Sequence, residues 1–103
     1  SVGGVPEGLR EKIGARLVHE LVIAAVDMGA EAVSLEVRVT NWGAQRLYAR
    51  FGFRPVGIRK NYYQEIGEDA LIMWLDGIRD AEFRTRLRRL VHELPEGIRP
   101  EVA

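Results

Sequence analysis

The 103-residue sequence predicts an α/β (α+β) fold with the element order helix, strand, helix, strand, strand, helix. Three observations carry that expectation. Apolar residues recur four apart near the start, alternation at period two takes over from Ala32 to Val39, and helical spacing returns after Asp80.

The first helix is expected from Leu9 to Met28. Ile13, Leu17, Leu21 and Ala25 stand four apart, flanked by Val18, Val22 and Val26, so one broad buried stripe is predicted, with Gly29 as the stop. In the strand that follows, Val33, Leu35, Val37 and Val39 share one face and Ser34, Glu36 and Arg38 the other. A short helix from Asn41 to Arg50 is predicted next, with Asn41 as its cap and Gly52 as its end. Pro55–Tyr63 and Asp69–Leu75 read as two strands joined by the polar loop Gln64-Glu65-Ile66-Gly67-Glu68, with Ile72 and Trp74 on a common face. The last helix is expected from Asp80 to Leu94, where Phe83, Leu87, Leu90, Val91 and Leu94 make its stripe, Pro95 closes it and a frayed tail follows.

Three strands make a thin sheet, so further strands are expected upstream or in another chain. The start at Ser1-Val2-Gly3-Gly4, without an initiator methionine, supports the same expectation of a fragment. Residues 1–76 are read as the core unit and 77–103 as an amphipathic helical extension with its tail.

Composition narrows the functions. Fifteen Lys plus Arg balance fifteen Asp plus Glu, so no overall field favours nucleic acid, and no direct nucleic-acid partner is expected. The absence of cysteine excludes disulfides, thiolate metal sites and a cysteine nucleophile. The apolar run Leu21–Val26 is too short to span a bilayer and no signal pattern is seen at the start, so a cytoplasmic, membrane-free protein is expected. His19 and His92 lack metal-ligand spacing, and no metal is assigned. Arg84, Arg86, Arg88 and Arg89 decorate the last helix as a solvated face or a surface for an acidic partner.

One constellation is more specific. Leu35-Glu36-Val37-Arg38-Val39-Thr40-Asn41 precedes Leu47-Tyr48-Ala49-Arg50-Phe51-Gly52-Phe53, and Arg59-Lys60-Asn61-Tyr62-Tyr63 precedes Glu68-Asp69-Ala70-Leu71-Ile72-Met73. This order of strand, asparagine-led helix with L-Y-x-x-x-G-F, R-x-N-Y-Y and E-D-A-x-x-M resembles the GNAT superfamily of N-acetyltransferases, in particular its bacterial ribosomal-protein-alanine branch. The resemblance runs from about Val2 to Leu75. It implies a twisted mixed sheet with acetyl-CoA, the co-substrate, wedged between two splayed parallel strands, of which this chain supplies the later half of the fold.

Acetyl transfer to an amine needs a base for the amine proton and an acid for the departing thiolate. Glu36 lies on the polar strand face and Tyr48 twelve residues on, in the next helix. Alone, the first reads as an ion-pairing surface residue and the second as a packed aromatic. The resemblance makes Glu36 the proton acceptor and Tyr48 the proton donor, and gives Asn41 a hydrogen bond to the pantetheine arm besides its capping role. An α-amino group, with a pKa of about 8 against about 10.4 for lysine, suits a carboxylate base better.

In the superfamily, a loop of pattern Q/R-x-x-G-x-G/A before the long helix holds the pyrophosphate on backbone N–H groups. The equivalent stretch here is Leu9, Arg10, Glu11, Lys12, Ile13, Gly14 and Ala15. Leu9 replaces the polar first residue and Lys12 the first glycine, while Arg10 and Lys12 offer cations to phosphate. Trp42, just after the asparagine, either narrows the acyl channel or packs against the absent half. Arg59, Asn61, Tyr62 and Tyr63 line the peptide groove in the resemblance, although the two tyrosines read equally as hairpin-end residues. The implied acceptor is a protein N-terminus, with a ribosomal protein as its class. A lysine or small-amine acceptor, or an inactive binding fragment, are the alternatives.

Overall fold

A computed structural model describes residues 7–63 and 67–99. Helix α1 spans Glu7–Asp27, strand β1 Ala32–Arg38, helix α2 Trp42–Phe51, strand β2 Arg54–Tyr63, strand β3 Glu68–Asp76 and helix α3 Ala81–His92, with a 3-10 turn at Glu96–Ile98. The six elements follow the expected order and their bounds shift by no more than a few residues. The start of the chain up to Pro6, residues 64–66 of the hairpin loop and the end of the tail lie outside the described residues.

The sheet is three-stranded in the order β1-β3-β2, and both pairings are antiparallel. Period-two alternation sets its faces. Val33, Leu35 and Val37 stand opposite Leu75, Met73 and Leu71, while Ser34 and Glu36 stand opposite Trp74 and Ile72. The first set turns toward the helices, with Val37, Met73 and Leu75 buried, and the second forms the open face. Ile72 and Trp74 share that open face, as expected. Within the described residues nothing pairs with the outer side of β1.

Val18, Val22, Phe51, Phe53, Ile78, Phe83, Leu87 and Leu94 join the strand residues in one core, so α3 packs into the same cluster as the helices before it. The apolar stripe expected on α1 is corrected here. Val22 is fully buried, yet Ile13 is 42% exposed, Leu17 61% and Leu21 48%. The helix is apolar on two flanks, and only the one carrying Ala15, Val18 and Val22 meets the core. A helix placed over an edge strand has nothing beneath its outer flank: of the strands, α1 lies chiefly over β1.

Up to Arg99 the expected frayed tail is corrected as well. Beyond α3 the chain folds back so that Arg16 Nη1 donates to the carbonyls of Ile98 at 3.0 Å and Arg99 at 3.4 Å, while Arg99 Nε donates to Leu94 O at 2.9 Å. Donors on both sides satisfy carbonyls that a frayed end would leave to water.

Candidate active site

The junction from β1 to α2 is built from short-range hydrogen bonds. Asn41 Oδ1 accepts from Ala44 N at 3.2 Å, which caps α2 and leaves Nδ2 without a partner among the described residues. Gln45 Nε2 donates to Arg38 O and Val39 O at 3.1 and 3.0 Å, tying the end of β1 to the helix. Thr40 Oγ1 also donates to a Glu68 carboxylate oxygen. At the other end Gly52, at φ 106°, takes the left-handed conformation that closes α2.

Tyr48 is half-buried on the helix side of the sheet. Its ring meets Phe53 at a centroid distance of 5.7 Å and a tilt of 58°, and its carbonyl accepts from Phe53 N at 3.1 Å. Glu36 stands on the open face. Its Oε2 accepts from Arg59 Nη1 at 2.8 Å, and the same guanidinium lies 4.9 Å from the centre of the Tyr62 ring. Arg59 and Glu36 belong to the two outer strands, so the arginine reaches across β3, where its register partner is the small, buried Ala70.

Asn61 has a positive φ of 50°, an asparagine-tolerant conformation, and its N–H donates to Asp69 Oδ1 at 2.8 Å. Tyr63 ends β2, with its backbone opposite Glu68. The structure thus brings Glu36, Arg59 and Tyr62 together and leaves Tyr48 with the core. The Glu36–Arg59 pair escaped sequence reading because it depends on strand order. Its one local signal was that both residues occupy polar positions of alternating strands.

Leu9 to Ala15 are helical, which corrects the expected loop. Lys12, in place of glycine, and its neighbours Leu9, Arg10 and Glu11 are all good helix formers. In a helix only the first-turn N–H groups lack an acceptor within the helix, and those further along close its ladder. Gly14 serves packing: a Cβ there would sit 3.1 Å from Leu47 Cδ2, so the glycine lets α1 approach α2. Leu9, Arg10, Lys12 and Ile13 are exposed and Ala15 is buried. These residues fit an anion at a helix start flanked by cations, not a backbone cradle.

A cavity of about 40 Å³, room for about one water, lies where α1 meets the ends of α2 and α3, and is lined in part by Lys12, Ala15 and Arg50. Arg50 there pairs with Glu93. A second, of about 150 Å³, lies between α1 and α3. Neither is lined by Glu36, Asn41 or Tyr48. Among the described residues no acidic or histidine cluster could hold a metal ion, and no helix is long and apolar enough to cross a membrane. His19 keeps a buried Nδ1 without a hydrogen-bond partner among the described residues, and burial pushes its pKa below the ordinary value of 6.5.

Residues 5–53 match the Acetyltransferase (GNAT) family. The chain is 50% identical over 70 residues to the "Putative ribosomal protein bS18-alanine N-acetyltransferase" of Bacillus subtilis, covering 68% of this chain and 46% of that protein. It is 47% identical over 62 residues to an N-alpha-acetyltransferase of Sulfolobus acidocaldarius, covering 59% of this chain and 36% of the relative. The crystal structure of the ribosomal-protein-S18-alanine N-acetyltransferase from Escherichia coli superposes with a TM-score of 0.58 at 36% identity, over 70% of this chain and 48% of the other. The fold is therefore a GNAT-like mixed α/β fragment, and the chain spans about half the length of the curated relatives it matches.

Proposed function

We propose that the protein is an acetyl-CoA-dependent N-acetyltransferase, acting in the cytoplasm on a protein N-terminus of the ribosomal-protein-alanine type. The observation that carries this reading is the 50% identity over 70 residues with a relative named for that activity. When bound, acetyl-CoA supplies the thioester carbonyl that the substrate amine attacks, with CoA leaving as a thiolate.

In this reading Glu36 accepts the amine proton, directly or through one water, and Tyr48 gives its phenolic proton to the leaving sulfur. Asn41 Nδ2 is left to donate to the pantetheine arm, while Oδ1 keeps α2 capped. Arg10, Lys12 and the first-turn N–H groups would hold the anionic end, next to Leu9, Ile13, Gly14 and Ala15. Arg59 and Tyr62 orient Glu36 and, with Asn61 and Tyr63, line the path of the incoming peptide. The exposed Leu17 and Leu21 flank and the unpaired side of β1 support a site that further sequence, beyond this chain, completes.

The test is acetyl transfer by the full-length protein to a peptide beginning Ala-Arg, compared with an internal-lysine peptide. Preference for the first is expected, and Glu36→Gln and Tyr48→Phe should each slow transfer by about 10²-fold or more. Near-normal rates in both variants refute the assigned roles. The half-length coverage favours a second reading, a fragment that binds without turnover. Calorimetry of this chain with acetyl-CoA separates the two, since 1:1 heat supports the first and silence the second.

A further inference from the structure

The cavity of about 150 Å³ between α1 and α3 has no part in the catalytic reading. Its floor is Ile78, Phe83 and Leu87, all buried, and its wall is Ile23 and Val26 of α1. Ile23 is 39% exposed, so the apolar lining opens to solvent. An apolar cavity of about this volume takes up a benzene-sized group, and it falls below the roughly 300 Å³ where small-molecule sites begin. It fits one side chain of a larger partner.

The rim sets the partner's charge. Arg79 and Arg84 border the cavity, and no acidic residue lines it. Arg79 is steadied by donating to Val26 O at 3.0 Å. Arg84 makes no ion pair among the described residues, nor does Arg88 one turn further along α3, whereas Arg16, Arg50, Arg54 and Arg59 are each paired with a carboxylate. Arg79 and Arg84 are thus the charged members of an otherwise apolar lining, and neither is neutralised by a carboxylate among the described residues. An apolar floor offers nothing to a phosphate backbone, so the combination favours a peptide over nucleic acid.

We propose that the α1–α3 groove docks an acidic peptide segment, burying one aromatic or leucine-sized side chain between Ile23, Phe83 and Leu87 while flanking carboxylates meet Arg84 and Arg88. The proposal is independent of acetyl transfer and is tested without it.

The probe is a short fluorescein-labelled peptide of glutamates around one phenylalanine, titrated into this chain by fluorescence anisotropy at low salt. Saturable 1:1 binding is expected, weakened about tenfold or more by Arg84→Glu, by Ile23→Glu, and by serine in place of the peptide's phenylalanine. Arg84 and Ile23 are exposed, so the variants should keep the wild-type circular dichroism, and Arg84→Gln provides a milder check. Absence of saturation, or equal affinity for the serine peptide or for Arg84→Glu, overturns the proposal. So does a polyuridylate of equal charge that binds as tightly and with the same Arg84 dependence.

Discussion

The two apolar flanks of α1 are nearly equal in composition and opposite in fate. One carries Ala15, Val18 and Val22 and is buried against the strands and α3; the other carries Ile13, Leu17 and Leu21 and faces water. The difference lies in what is beneath each flank, since α1 lies over a strand whose outer side is unpaired. Burial follows position in the fold, and an apolar side chain without a neighbour gains nothing from its character.

Substitution on the buried flank should break the comparison hardest. Val22→Asp puts a carboxylate at the centre of the core and is expected to remove about 3 kcal/mol or more, enough to unfold a domain of this size, as read by the loss of a cooperative urea transition. Arg16→Ala is intermediate. It frees the carbonyls of Ile98 and Arg99 and the Glu20 ion pair, for an expected loss of about 1 kcal/mol in urea unfolding, with faster hydrogen exchange confined to the C-terminal turn.

His19 should give a smaller, pH-dependent effect. Burial lowers its pKa below 6.5 in the folded state, so the unfolded chain binds the proton more readily and stability falls as pH drops below about 6.5. His19→Gln is expected to flatten that part of the urea midpoint against pH curve; an unchanged slope assigns it to other groups. The smallest effect belongs to the exposed flank. Leu17→Glu should change the stability of this chain by no more than about 0.5 kcal/mol, and a loss as large as at Val22 would mean that this flank is covered in solution.

Much of the fold was legible in the sequence. Four-residue and two-residue periods gave the six elements, and Asn41 and Gly52 marked the ends of α2, because caps and alternation are encoded within a few neighbouring residues. The site was legible only in outline. Glu36, Asn41 and Tyr48 were singled out only through the resemblance, and the Glu36–Arg59 contact could not be read at all, since it arises from β3 lying between two strands that are distant in sequence. The loop expected at Leu9–Ala15 gave way to helix, because local propensity had no glycine at position 12 to oppose it.

By itself, then, the sequence determined that α1 is a helix and that β1 has a polar and an apolar face, as both are matters of short-range period. Which flank of α1 is buried, where Arg59 finds its carboxylate, and that Gly14 serves contact with Leu47 were decided by tertiary structure alone. The physical reason is range: a repeat constrains residues a turn apart, whereas strand order and helix placement bring together groups that no local pattern connects.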